Sequence, residues 1–179
     1  MKNLVEHLST YAAYHRDRRN IATHFVGIPM ITFAVSTLLA RPVLAVAGGL
    51  PVSPAVLVTA GAIAFYLRLD ARIGAVMGAL LAAALWGASW FAAQSTATWL
   101  GAGLGLFVVG WIIQFIGHVY EGKKPAFMDD IMGLLVGPLF VVVEAGFGMG
   151  LRDEVRAAIE ERVGPTVIRQ RGAAVASEP

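Results

Sequence analysis

The sequence contains no cysteine and few charged residues. The missing cysteine excludes disulfides, thiolate metal sites and cysteine nucleophiles. Only 15% of the 179 residues are charged, where a soluble domain carries about 25%, and 57% are hydrophobic. The net charge of +2 is too small and too scattered to indicate a nucleic-acid partner. The apolar surplus, with a mean hydropathy of +0.68, therefore indicates an integral membrane protein.

Long apolar segments recur along the chain. A bilayer core about 30 Å thick needs roughly 17 to 25 apolar residues per crossing helix. Four segments predict such helices: 25–40, 54–67, 73–93 and 98–116. The second is short and reaches spanning length only with residues 50–53, and a fifth segment, 131–149, contains Gly137-Pro138 and Glu144. The pattern predicts an all-α fold: a polytopic membrane helix bundle with four spans and a fifth crossing or re-entrant segment.

Lysine and arginine fall mainly on one side of the four predicted spans. That side carries eight of them: Lys2, Arg16, Arg18, Arg19, Arg68, Arg72, Lys123 and Lys124. Arg41 alone lies on the other side. Because cytoplasmic loops retain positive charge, we expect a cytoplasmic N-terminus, in the inner membrane of a bacterium. The tail arginines join the majority only if 131–149 enters the membrane and returns, so a re-entrant fifth segment is favoured.

Glycines four residues apart recur in the apolar segments. The pairs are Gly74/Gly78, Gly101/Gly105, Gly133/Gly137 and Gly146/Gly150. Small residues at this spacing allow the backbones of neighbouring helices to approach closely. We therefore expect these four pairs to lie at helix–helix contacts.

The composition changes after Gly150. Leu151, Val155, Ile159 and Val163 recur every four residues with charges between them, which predicts an amphipathic helix. We expect three regions: a membrane-embedded catalytic domain over 1–150, an amphipathic cytoplasmic helix with a basic tail over 151–171, and a disordered end over 172–179.

Histidine is also scarce. The four are His7, His15, His24 and His118, and all but the first adjoin a predicted span on the cytoplasmic side. The segment QFIGHVYEGKKP places Gln114, His118 and Glu121 at positions i, i+4 and i+7, within a helical stripe of about 60°. One helix face therefore presents an amide, an imidazole and a carboxylate.

Two further polar segments lie on that side. LRLDARIG contains Asp70, and YHRDRRNIATH contains His15 and His24 on either side of Asn20. Structural roles compete with chemical ones, because Asn20 suits the N-cap of the first spanning helix and Asp70 suits an ion pair at a surface turn. Ionisable groups that face a helix-bundle interior are costly, which favours a functional role for the combination.

Imidazole and carboxylate side chains together suit zinc or non-haem iron. Two histidines and one carboxylate on an octahedral iron leave positions for a substrate and dioxygen. His24, His118 and Glu121 could form such a set, and the composition does not distinguish iron from zinc.

A longer pattern of residues extends beyond these candidate ligands. It comprises Tyr11, His15, Asn20, His24, Pro29, Asp70, QFIGH at 114–118, Glu121, Pro125 and Gly137-Pro138. This pattern resembles a family of small bacterial and fungal membrane proteins that includes a fungal iron(II)-dependent 2-hydroxy fatty acid dioxygenase. The resemblance covers roughly residues 5–148, and QFIGHVYEGKKPAF is its most specific part.

The resemblance implies fatty acid alpha-oxidation with Fe(II) and O2. A 2-hydroxy fatty acid would be cleaved between C1 and C2, which leaves a fatty acid one carbon shorter. The metal ligands it implies are His15, His24 and His118, with Glu121 as a fourth ligand or as the residue that orients an imidazole. Supporting catalytic residues would be Asn20, Asp70 and Gln114. Arg16, Arg19 or Lys123 could hold the acid.

Two alternatives use the same residues. The chain could be a small membrane transporter or channel whose His, Asp and Glu residues line a polar path, although the predicted spans contain almost no ionisable group except Glu144. A desaturase-like di-iron enzyme would need more than the four histidines present. The sequence leaves the oligomeric state open, and an oligomer is compatible with each reading.

Overall fold

The computed structural model describes residues 2–169 as seven helices and one short hairpin. The elements are α1 (Leu4–Ala12), α2 (Arg18–Ala40), β1 (Ala45–Ala47), β2 (Leu50–Val52), α3 (Pro54–Leu69), α4 (Ala71–Ala92), α5 (Thr96–Glu121), a 3-10 turn (Ala126–Met128), α6 (Gly133–Gly148) and α7 (Asp153–Val163). The predicted all-α class is therefore confirmed for the described residues, apart from the hairpin. The expectations for Arg171 and for the end over 172–179 lie outside these residues.

Three helices are long and apolar enough to cross a membrane, which indicates a membrane protein. They are α2, α4 and α5, with 23, 22 and 26 residues. Helix α3 is apolar but has only 16 residues, and α6 joins α7 at an angle of 115°, as in a broken span or a re-entrant loop. The described residues thus contain three or four candidate spans, fewer than the four spans and a fifth segment that the hydropathy predicts.

The hairpin explains why α3 is shorter than predicted. β1 pairs antiparallel with β2 through a turn in which Gly48 and Gly49 both have positive φ, at 57° and 80°. The Ser53 side chain then caps α3 by accepting a backbone N–H, and Pro54 occupies the first helical turn. Residues 50–52 form a strand and do not extend the helix, so that expectation was wrong.

The described residues divide into two compact units, residues 2–26 with 112–169 and residues 27–111. The second unit contains the hairpin, α3, α4 and parts of α2 and α5. A Cβ atom at Gly74 of α4 would lie 2.6 Å from the backbone of α3, and Gly103 and Gly110 of α5 are similarly close to α2. A Cβ atom at Gly101 or Gly105 would have no atom of another helix within 4 Å, so the expectation for that pair was wrong. The contact face of α5 carries glycines seven residues apart, and the four-residue pair lies off this face.

The first unit is built around α1. This helix packs against α6 and α7, where Leu8, Phe140, Val155 and Ile159 are buried. Val155 and Ile159 belong to the predicted apolar stripe of α7, whereas Leu151 is exposed. The loop from α1 to α2 spans residues 13–17 and includes a histidine, which positions the site described next.

Candidate metal centre

Three histidines of the first unit form a compact buried group. His15 lies in the α1–α2 loop, His24 lies near the start of α2, and His118 lies in the last turn of α5. Their exposed fractions are 0%, 2% and 6%. One ring nitrogen from each lies within 4.8 Å of the nitrogens from the other two. The structure therefore brings together the three histidines that the resemblance implies as ligands.

Backbone carbonyls orient two of these imidazoles. Nδ1 of His15 lies 2.7 Å from the carbonyl oxygen of Tyr11, and Nδ1 of His24 lies 2.8 Å from that of Asn20. Because a carbonyl oxygen only accepts, we assign the proton to Nδ1, which leaves Nε2 of each ring with a lone pair. A ring that donates from one nitrogen to a carbonyl is typical of a histidine that binds a metal through the other.

Unpartnered ring nitrogens indicate whether these residues fit a metal ion. Nε2 of His15 and Nδ1 of His118 are buried without a hydrogen-bond partner among the described residues. Buried polar atoms are nearly always paired, so such nitrogens need an explanation such as an ion. Three neutral imidazoles at this spacing fit a divalent transition metal, and iron and zinc fit equally.

Burial keeps the loop histidine neutral. It lowers the pKa of His15 well below its ordinary value of 6.5, and the neighbouring His24 lowers it further. A metal ligand must be unprotonated, so this shift favours metal binding at neutral pH. The Tyr11 ring stacks on the His15 ring with 4.1 Å between their centroids, and the Phe140 ring centroid lies 5.0 Å from that of Tyr11. Burial also raises the pKa of the Tyr11 phenol, which therefore stays protonated.

Glu121 connects the segments that carry the three histidines. Its Oε2 accepts from the backbone N–H groups of Arg16 at 2.9 Å and Asp17 at 2.8 Å, and from Nδ2 of Asn20 at 3.1 Å. Its Oε1 accepts from the Arg169 guanidinium at 3.1 and 3.2 Å. Over the described part of the chain, the group of possible metal ligands contains only the three histidines.

Asn20 lies inside α2 and does not cap it. The helix begins at Arg18, and the Asp17 side chain accepts from the backbone N–H of Arg19 at 2.8 Å. The N-cap role was therefore wrong, because the helix starts before Asn20. The side-chain amide of Asn20 instead donates to Glu121, and the backbone carbonyl oxygen of Asn20 accepts from Nδ1 of His24.

The predicted acid-binding cations contact protein groups around the α1–α2 loop. Arg16 is buried, its guanidinium donates to three backbone carbonyls, and it lies 3.7 Å from Glu144. Arg19 forms a 2.8 Å ion pair with Asp17, whose pKa this hydrogen bond lowers to about 2. Lys123 donates to the carbonyl of the residue after α1 at 2.9 Å. Arg19 and Lys123 remain partly or largely exposed.

The two remaining predicted residues lie in different units. Gln114 belongs to the first unit, one turn before His118, and its buried Oε1 has no hydrogen-bond partner within residues 2–169. Asp70 belongs to the second unit and caps α4 by accepting from the N–H groups of Arg72 and Ile73. The structure thus gives Asp70 a capping function, and its catalytic role stays a prediction.

Four residues of this region received no site role from the sequence: Tyr11, Asp17, Phe140 and Arg169. Tyr11 lies four residues before His15, so a helical spacing could have indicated it. Asp17 directly precedes a helix, which is an N-terminal capping signal. No local pattern indicates Phe140 or Arg169, because their contacts depend on the packing of α6 and of the segment after α7.

Comparisons with known proteins cover the segments that contain these residues. A family model described as "2-hydroxy-palmitic acid dioxygenase Mpo1-like" matches residues 1–149, which include all three histidines and Glu121. The "2-hydroxy-palmitic acid dioxygenase MPO1" of Saccharomyces cerevisiae is 31% identical over 160 residues, which is 88% of each chain. No solved structure matches. The chain therefore belongs to the Mpo1-like family.

Proposed function

We propose that the protein is an Fe(II)-dependent dioxygenase that shortens 2-hydroxy fatty acids by one carbon. The observation that carries the proposal is the buried group of His15, His24 and His118 within the region that matches the Mpo1-like model. The name of the yeast relative supplies the substrate class. Bound to the three imidazoles, Fe(II) would supply the centre at which the 2-hydroxy acid and O2 react, with cleavage between C1 and C2.

The protein groups around the histidines would hold the ligands in place. The Tyr11 and Asn20 carbonyls fix the ring orientations of His15 and His24. Tyr11 and Phe140 form an aromatic wall beside His15 that excludes water from this side. We assign Glu121 the second of its two predicted roles, that of a positioning residue, because both oxygens already accept hydrogen bonds from protein groups.

The fatty acid chain would lie in the lipid, with its acidic end at the histidines. Residues next to His24 and His118 expose apolar side chains, which supports lipid contact at this depth: Phe25, Val26, Phe115, Ile116 and Val119. Arg19 and Lys123 are the predicted cations with exposed surface, so we propose that they attract the carboxylate. Buried Arg16 supports the loop, and Gln114 would donate its amide within the site.

The distribution of positive charges indicates on which side of the membrane this centre lies. The first unit contains the basic residues at the start of α2 and after α5, and cytoplasmic segments retain such charges. We therefore propose that the histidines lie at the cytoplasmic face of a bacterial inner membrane, with the N-terminus on the same side.

The test is metal content followed by oxygen uptake. Protein purified in detergent should contain iron, which mass spectrometry detects, and the Fe(II)-loaded protein should consume O2 with 2-hydroxypalmitate. The product should be the acid one carbon shorter, and palmitate without the hydroxyl should give no reaction. A zinc-loaded sample should be inactive, because zinc has no redox chemistry.

The matched variant is His24→Ala/His118→Ala. It should lose both iron and O2 uptake. A variant that retains both would overturn the proposal, and so would wild-type protein that holds iron but does not react with any 2-hydroxy fatty acid.

A further inference from the structure

The chain after α7 returns to the metal centre. Val167 donates its backbone N–H to the carbonyl of Arg16 at 2.8 Å and accepts from the N–H of Arg18 at 2.9 Å, which forms a parallel bridge beside Asp17. The Arg16 guanidinium also donates to the carbonyl of Gly164 at 3.0 Å. We call residues 164–169 the C-terminal strap. Backbone pairing holds it against the loop that carries His15.

Arg169 fastens the end of this strap at three points. Its backbone N–H donates to Oδ2 of Asp17 at 2.8 Å, and its carbonyl accepts from the Arg19 guanidinium at 2.6 Å. Its own guanidinium donates to Oε1 of Glu121 at 3.1 and 3.2 Å. Two of these contacts reach carboxylates whose side chains are 0% exposed.

Glu121 needs such a partner. A carboxylate taken out of water is costly unless charge and hydrogen bonds compensate it. Three N–H groups satisfy Oε2, and all three come from residues around His15 and His24. Arg169 is the side chain that donates to Oε1. Without the Arg169 guanidinium, only the three N–H groups around His15 and His24 would compensate the buried charge of Glu121.

We propose that the C-terminal strap is a positioning element of the metal centre and that Arg169 acts through Glu121. The guanidinium holds Glu121, Glu121 holds the N–H groups of Arg16 and Asp17, and these hold the loop of His15. The proposal rests on the proposed metal site. The strap lies outside residues 1–149, so the family match does not assign it a role.

Two truncated chains test the strap. One ends after Arg169 and keeps the strap, and the other ends after Val163 and keeps α7 but removes the strap. Co(II) is the probe, because its visible absorption reports ligand number and geometry. The longer chain should bind Co(II) like the full chain, whereas the shorter chain should bind about tenfold or more weakly, with altered bands. Equal binding by both truncated chains, or equal losses in both, would overturn the proposal.

Point variants test the route through Glu121 in the full chain. Arg169→Gln should weaken Co(II) binding about tenfold and shift the absorption bands, and Arg169→Lys should restore part of the loss. Arg162→Gln removes a charge from an exposed position of α7 and should change neither the affinity nor the bands. In a Glu121→Gln background, Arg169→Gln should have no further effect. An equal loss in both backgrounds would exclude action through Glu121.

The outcomes separate the two proposals. If wild-type protein binds neither Fe(II) nor Co(II), the metal-centre proposal fails and the strap proposal falls with it. If wild-type protein binds both ions and Arg169→Gln binds them equally well, the strap proposal alone fails. Thermal unfolding of the metal-free variants identifies a general loss of stability, and a variant that melts like wild type yet binds Co(II) weakly supports the positioning role.

Discussion

The two units bury different kinds of polar side chain. In residues 27–111 the buried polar side chains of the structure are hydroxyls: Thr37, Ser53 and Thr59. In the described part of the first unit they include histidines and charged groups: His15, Arg16, Asp17, His24, His118 and Glu121. A buried hydroxyl carries no charge, whereas buried charged groups need each other or an ion. The first unit therefore carries an energetic cost that favours a functional role for these groups.

Helix α5 shows the same difference along a single element. Residues 101–111 pack glycines against α2 or expose apolar side chains, and they contain no charged, amide or imidazole side chain. Residues 112–121 contain Gln114, His118 and Glu121, all buried. The helix is apolar enough to span a membrane throughout, so its hydropathy alone does not separate the packing end from the chemical end.

The largest expected effect is the loss of a histidine from the first unit. His118→Ala should lower metal affinity by at least about 100-fold, more than the loss of a residue that only orients a ligand. The matched change in the second unit is Thr37→Ala, which removes a buried hydroxyl and should leave metal content unchanged. Metal per protein, measured by mass spectrometry, checks both. Equal metal content in the two variants would contradict the proposal that the first unit alone holds the metal.

The second largest effect should come from Glu121→Gln, which should lower the Co(II) affinity about 10- to 100-fold. The amide NH2 does not accept hydrogen bonds, so it would lose either the loop N–H groups or the Arg169 guanidinium. Titration by visible absorption measures the change. The control is Glu154→Gln on the exposed face of α7, where 69% of the side chain is accessible. An unchanged affinity for Glu121→Gln would contradict the positioning role.

A methyl group added on α5 should disturb the protein at Gly117 and not at Gly105. A Cβ at Gly117 would overlap Oγ1 of Thr23 and Oδ1 of Asn20, and Asn20 is held by Glu121. Gly117→Ala should therefore destabilise the protein by about 1–3 kcal/mol and weaken metal binding. Gly105→Ala places the same methyl where nothing lies within 4 Å and should be neutral. Thermal unfolding in detergent, with and without Co(II), compares the two variants.

The smallest effect should come from the second unit. Trp99→Phe removes the 2.8 Å hydrogen bond from Nε1 to the carbonyl of Thr37. The expected loss is about 1 kcal/mol of unfolding free energy, with unchanged Co(II) affinity and spectrum. A change of the spectrum would show that a substitution in residues 27–111 alters the histidine site, which would contradict the separation of roles between the two units.

Particular residues show how far the sequence could be interpreted. The helices α2, α4 and α5 follow from hydropathy, because a spanning helix must be long and apolar. The hairpin did not, since its apolar residues suit a strand and a helix equally and the Gly48-Gly49 turn decides between them. Asn20 was misassigned as a cap because helix starts are local signals that a neighbour such as Asp17 can supply just as well.

The sequence by itself determined the membrane class and the all-α fold, because composition and periodicity are local properties of the chain, and its resemblance to a family implied the three histidines as ligands. Only the tertiary structure decided which ring nitrogens are left unpartnered and that Glu121 joins the segments of His15, His24 and His118. The Glu121 bond to Arg16 joins residues 105 positions apart, and the Arg169 bond to Asp17 joins residues 152 apart. Contacts at such separations depend on how helices pack, and no short pattern records that.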